Sequence, residues 1–171
     1  MHPLTEKQIR ASFVNASRRE AAQAALPVLP DLDWDRLDYL GWRDRKAPLL
    51  AYVVVPGTAP DDGPTAVLLR ATDPAGRLRR SGVCAWCEDV VNTDDVSLYV
   101  ARRAGASGRR GNTVGTLLCT EFACSRNVRR RPTLAETGRD DDALRIQIVE
   151  RRIEGLRARS TRFVAEVLRP E

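Results

Sequence analysis

The sequence of 171 residues is nearly devoid of histidine, the side chain that most often serves as a general acid or base. It has one histidine, His2, placed among the first residues of the chain, where it is read as incidental. No Gly-rich phosphate loop and no nucleophile elbow occurs, so the usual hydrolase and kinase arrangements lack their parts, and binding is expected in place of catalysis. No run of about 18 apolar residues is present, and the N-terminus lacks the basic-then-apolar layout of a signal peptide. A cytoplasmic protein without a membrane partner is expected.

Cysteine is also scarce, and its placement is informative. All four cysteines fall in two close pairs, Cys84-x-x-Cys87 and Cys119-x-x-x-x-Cys124. Each pair can supply two thiolates, and four thiolates suit a tetrahedral Zn2+ ion. Two other readings are a thioredoxin-like redox pair and four buried free thiols. A redox motif ordinarily opens a helix within a βαβ unit and calls for no second pair, and no such unit surrounds Cys84. Cysteines paired for metal also agree with a reducing compartment.

Between the pairs, residues 96–101 alternate apolar and polar side chains as a half-buried strand does, 104–111 carry three glycines, and 113–118 resume a β-rich stretch. A hairpin is predicted there. After Cys124, residues 125–131 are predicted to form a short helix stopped by Pro132. Knuckle, hairpin and helix in that order describe a treble-clef zinc finger. Trp86 and Phe122 lie inside the two pairs, and at least one is expected to be partly buried beside the site.

The run Trp34 to Asp44, then Cys84-x-x-Cys87, then Leu118-Cys-Thr-Glu-Phe-x-x-Cys-Ser125 resembles the C-terminal zinc-finger domain of the fusidic-acid resistance proteins, also called elongation factor G-binding proteins. The similarity runs roughly from Asp33 to Leu168. It implies a zinc-binding, translation-associated protein whose partner is elongation factor G, which proteins of that family release from the stalled ribosome.

The fold expected from the rest of the chain is α+β: an antiparallel sheet flanked by the finger, with long N- and C-terminal helices. Residues 1–30 read as a helical extension and 31–171 as the zinc-finger domain. Thr5-Glu-Lys-Gln8 fits a capping box, and one helix is predicted from Thr5 to Leu26, ended by Pro27. Tyr39 to Trp42 is read as a turn, and Trp34, Tyr39 and Trp42 as core and platform aromatics. Asp38, Arg43 and Asp44 are read as structural ion-pair residues. Residues 49–55 are the strongest strand signal, and a Pro/Gly/Asp-rich loop joins them to a second strand at 65–70 in an antiparallel hairpin. A turn follows at 73–76 and a basic run at 77–80, and 132–138 is read as a loop. Ile146, Val149, Ile153, Leu156, Ser160, Phe163 and Val167 make a stripe along a last helix of about 28 residues, interrupted at Ser160. That stripe is expected to cover the sheet and meet the first helix, with monomer favoured over a coiled-coil dimer.

The net charge is +5, and from Arg70 to Arg139 there are 13 arginines against seven acidic residues. The finger region carries the basic excess, which favours an acidic protein face or the RNA of a ribosome. Arg126, Arg129, Arg130 and Arg131 follow the last cysteine directly, so a bound metal would fix where they point. They are the candidate partner-binding residues. The arginines of the last helix, among them Arg145, Arg152, Arg157 and Arg159, are expected to be solvated or available to a partner. A general RNA-binding role would need Trp86, Tyr99 or Phe122 exposed for base stacking.

Overall fold

The structure, a computed structural model, describes residues 1–57, 59, 62–72, 82–90 and 95–170. Strands β1 (Leu40–Arg43), β2 (Leu50–Val55), β3 (Thr65–Ala71), β4 (Val96–Arg102) and β5 (Thr113–Cys119) form one antiparallel sheet in chain order. Successive side chains of a strand point to opposite faces, and here both faces of β2 and β3 are covered. Ala51, Val53, Val55, Val67 and Leu69 enter one core; Tyr52, Val54, Ala66 and Leu68 enter another. Burial on two sides is why this pair reads as a continuous apolar run, and each buried Val or Leu contributes about 1.5–3 kcal/mol.

Tyr39 to Trp42, expected to turn the chain, instead runs into the edge strand β1, which pairs Leu40 with Val54 and Arg43 with Ala51. Gly41 hides the strand from pattern reading but is required there. A Cβ at this position would lie 2.6 Å from Cδ1 of Phe122, which is pressed onto the strand.

The expected single N-terminal helix is two helices, α1 (Glu6–Ala11) and α2 (Arg18–Gln23). Each starts on a capping box, Thr5 with Gln8 and Ser17 with Glu20; the second box is the signal that a periodicity reading overlooks. The chain between them leaves helical geometry to dock on β3, with the Val14 amide donating to Ala66 O at 3.0 Å and the Ala66 amide to Ser12 O at 2.9 Å. Asn15 continues the pairing with its side chain, accepting from the Leu68 amide at 2.8 Å and donating to Leu68 O and Arg102 O at 2.9 Å. It thereby fills the gap where β3 and β4 diverge. This layer covers the Tyr52 face of the sheet, where Trp42 stacks on Tyr52 at 5.0 Å and donates Nε1–H to Ala25 O.

On the opposite face lies α6 (Asp142–Leu168), about 40 Å long at 1.5 Å per residue. Leu156, Ser160, Phe163, Val164 and Val167 are buried, so the C-terminal half of the stripe covers the sheet as expected. Ser160 is no break: it is fully buried, and its hydroxyl donates to Arg157 O at 3.0 Å. The N-terminal half runs past the sheet, leaving Ile146 59% exposed. Because the two terminal layers pack on different faces, the apolar stripe of α6 is buried in the core opposite the one α1 enters, not against α1. Three shorter helices complete the fold: α3 (Gly105–Arg109) in the β4–β5 connection, α4 (Cys124–Val128), and the one-turn α5 (Leu134–Thr137) where a loop was expected. The cause of α5 is a third capping box, Thr133 with Glu136, and Gly138 ends it at φ +68. The turn at 73–76 and the basic run at 77–80 lie outside the described residues. Among the described residues no helix is long and apolar enough to cross a membrane.

Candidate metal centre

The two cysteine pairs meet at one end of the sheet. Cys119 closes β5 and Cys124 opens α4, while Cys84 and Cys87 sit on a knuckle tied to β5 by the Ala85 amide, which donates to Leu117 O at 2.8 Å. The hairpin between the pairs forms as predicted, with Val96 opposite Cys119 and Arg102 opposite Thr113. The four Sγ atoms lie within 4.8 Å of one another, with Cys84 to Cys124 at 3.5 Å and Cys87 to Cys119 at 3.6 Å. These separations are far beyond a disulfide bond of about 2.05 Å and close to the roughly 3.8 Å edge of a tetrahedron with metal–sulfur bonds near 2.3 Å.

All four thiols are buried and none is disulfide-bonded. Crowding splits their acidities. Hydrogen bonds from Cys119, Cys124 and Cys87 hold the Cys84 thiol far below its ordinary pKa, whereas Cys124, bonded to Cys119, Cys84 and Cys87 and deeply buried, is pushed well above it. Four thiolates cannot share so small a buried volume unless a cation balances them, and a soft divalent ion is what this donor set suits. The residues present fit Zn2+ in a closed structural site, with no position left for a substrate.

Both knuckles use a left-handed residue that is not glycine, Glu88 at φ +51 after Cys87 and Phe122 at φ +56 after Cys119. That bend returns the Glu88 amide to Cys84 O at 2.9 Å and the Phe122 amide to Cys119 O at 2.9 Å. Sulfur receives further donors: the Trp86 amide reaches Cys84 Sγ and Asn127 Nδ2 reaches Cys119 Sγ, each at 3.4 Å. Such outer contacts orient the ligands. Asn127 was not singled out from sequence, and its place one turn after Cys124 in α4 is the signal that could have found it. Trp86 and Phe122 are both buried, at 2% and 7% exposure. Trp86 packs edge-on against Tyr39 at 4.8 Å and against Phe163 of α6 at 5.6 Å, so the metal end and the sheet core are continuous.

The four candidate partner-binding arginines separate into two kinds. Arg126 is exposed on α4, and Arg131 is 76% exposed, 3.5 Å from an equally exposed Asp142. Arg129 and Arg130 turn inward. Arg129 donates to the buried carboxylate of Asp38, which also accepts from Arg157 Nε at 3.0 Å and whose own amide donates to Ser125 Oγ. Arg130 donates to Asp89 and Glu136, and Arg152 joins it on Glu136. Arg159 spans Trp86 O at 2.7 Å and Glu88 at 2.8 Å. The arginines of α6 expected to be free therefore include three, Arg152, Arg157 and Arg159, that bind the finger to the rest of the chain. Asp38 serves as a structural ion-pair residue as read. Arg43 lies 3.7 Å from Glu121, while Asp44 accepts from Tyr52 Oη at 2.9 Å and from backbone amides instead of pairing with Arg43.

The chain is similar in fold to a solved structure described as that of the fusidic acid resistance protein FusC, with a TM-score of 0.56 at 17% identity. The likeness covers 88% of this chain and 59% of that one, so the chain spans little more than half of the protein it matches. No curated protein sequence matches it. The model of the FBP C-terminal treble-clef zinc-finger family matches residues 8–167, nearly the whole chain, and with the knuckle, hairpin and helix holding four sulfurs in the arrangement that name describes, the chain belongs to that family.

Proposed function

We propose that this chain is a non-catalytic, zinc-held binding module for elongation factor G that promotes release of the factor from the ribosome. The observation that carries the reading is the closed four-cysteine site fixing α4 beside a rigid sheet in a chain of this family. A metal surrounded by four buried sulfurs serves architecture, and the face it holds in place is what a partner meets. The partner's identity comes from the family resemblance.

Two competing readings lose support. Stacking of RNA bases would use aromatics among the arginines, yet Trp86, Tyr99 and Phe122 are 2%, 0% and 7% exposed. A thiol oxidoreductase would present an accessible thiolate, yet the exposure of the four cysteines lies between 0% and 4%. Calorimetry of the zinc-loaded chain with purified elongation factor G, repeated over a salt series, tests the proposal. A one-to-one complex that weakens as salt rises is expected. Absence of a complex with the factor, on or off ribosomes, overturns it.

A further inference from the structure

The N-terminal layer covers only β1 to β3 of its face of the sheet. Beyond Arg70 and Arg102 no described element packs on the outer face of β4 and β5: Leu98 and Leu117, direct neighbours across the ladder, are each 41% exposed, and Gly115 adds no side chain beside them. Leu98 leans outward over that bare position, its Cδ1 lying 3.6 Å from where a Gly115 Cβ would be.

β5 is also the last strand of the sheet. Backbone polar groups alternate sides along an antiparallel strand, and Leu117 O points away from β4, since it accepts from Ala85. Thr113 and Gly115 therefore aim their N–H and C=O groups at the same outer edge. Among the described residues none bonds to them there. Charge on this part of the chain has one sign: from Val96 to Cys119 every charged residue is an arginine, namely Arg102, Arg103, Arg109 and Arg110. Arg103 is engaged with Glu166. Arg102, Arg109 and Arg110 are exposed and make no ion pair among the described residues, and Arg102 sits opposite Thr113 in register.

The geometry points to β5 as a docking edge for an extended acidic segment of a partner protein, added as a sixth strand. Its backbone pairs with Thr113 and Gly115, alternate apolar side chains cover Leu117 and Leu98, and its carboxylates meet Arg102, Arg109 and Arg110. Strand addition of this kind draws affinity from main-chain bonds and specificity from alternate side chains. An exposed apolar edge left without acidic residues or proline attracts such a partner. The inference does not depend on elongation factor G being that partner.

The test uses the full, zinc-loaded chain, with 15N-detected titration of a short synthetic peptide alternating glutamate and valine. The expected result is movement of the Thr113, Gly115 and Leu117 amide signals. Affinity should fall at least about tenfold for a peptide with lysine for glutamate, and equally for one N-methylated at the amides that would pair. Gly115→Pro removes an edge donor that the sheet's own ladder does not use and should lose binding to the same degree. Should that variant fail to fold, the N-methylated peptide still decides the matter on the wild-type chain. No movement at these amides, undiminished binding of the N-methylated peptide, self-association through β5, or polyuridylate binding at the same amides in place of the peptide each overturns the inference.

Discussion

Arg129 donates through both terminal nitrogens to the carboxylate of Asp38, whose side chain is fully shielded from solvent although 91 residues separate the two in sequence. The pair ties the end of α4, behind Cys124, to the start of the sheet. A carboxylate taken so completely out of water is tolerated only while its partners remain, so Arg129→Ala should cost roughly 3 kcal/mol, reduced somewhat by Arg157. Asp38→Asn should cost less, because the amide oxygen still accepts. Urea denaturation of the two variants should show that order of midpoints. Equal loss in both would mean that the ion pair is not what holds α4.

One zinc per chain should copurify, and Cys84→Ser or Cys119→Ser should abolish it. A structural zinc contributes on the order of 10 kcal/mol in small fingers, so chelation should unfold at least the metal end. Tryptophan fluorescence offers a direct readout, since Trp86 is sandwiched between Tyr39 and Phe163 beside the site. Elemental analysis finding well under one equivalent in fresh, unchelated protein would sink the assignment. Metal binding needs deprotonated thiols, so affinity should fall as pH falls.

A second ion-pair cluster carries a pH signature. Hydrogen bonding from Arg130, together with the Thr133 capping contacts, lowers Glu136 to a pKa of about 2 against partial burial. A carboxyl depressed in the folded state contributes stability that is fully present above its unfolded value and lost as pH falls toward 2. The shift corresponds to roughly 3 kcal/mol before solvent screening, which lowers its worth for a carboxylate whose side chain is 25% exposed. The stability difference between wild type and Glu136→Gln should therefore be constant from neutrality down to about pH 5 and shrink below it. Acid loss of zinc acts on both proteins and drops out of the difference. A gap that stays unchanged at pH 3 would contradict the linkage.

The cysteine spacing and the strands at 50–55, 65–71, 96–102 and 113–119 were legible because each is written locally, in ligand spacing or in alternation. What escaped reading was decided by distant partners. Nothing near Gly41 announces that Phe122 lies on it, so a four-residue edge strand passed for a turn. Asn15 behaves as a strand residue only because Leu68 offers its amide and carbonyl. The three capping boxes stand in the sequence: the first marks the start of α1, and the other two explain α2 and α5. Likewise an arginine in a basic cluster looks free until Asp38, Asp89 and Glu136 arrive from elsewhere in the chain.

Glu88 tests the knuckle itself. It holds φ +51 in a conformation that costs a residue with a Cβ about 1 kcal/mol, and its pair with Arg159 involves a side chain 58% exposed. An exposed pair of this kind is worth only about 0–1 kcal/mol. Glu88→Gly should thus keep or slightly raise the melting temperature with zinc bound, while the β-branched Glu88→Val should lower it. Identical melting curves for the two variants would show that the backbone relaxes freely there.

The last prediction separates display from support among the four arginines that follow Cys124. Arg126→Glu with Arg131→Glu changes two exposed side chains, one unpaired among the described residues and one in a weak surface pair, so zinc content and melting temperature should hold within experimental scatter. Arg129→Glu with Arg130→Glu instead sets like charges against Asp38, Asp89 and Glu136 and should destabilise by several kcal/mol. If the zinc-fixed face of α4 is where elongation factor G docks, the first pair loses affinity without losing the fold, and the loss shrinks as salt rises and screens the contacts. The second pair loses affinity only as it loses structure. Calorimetry against the factor, read beside thermal melts of the same samples, distinguishes the two. Full affinity in the folded Arg126/Arg131 variant would remove α4 from the docking face and leave the edge at β5 as the surface to examine.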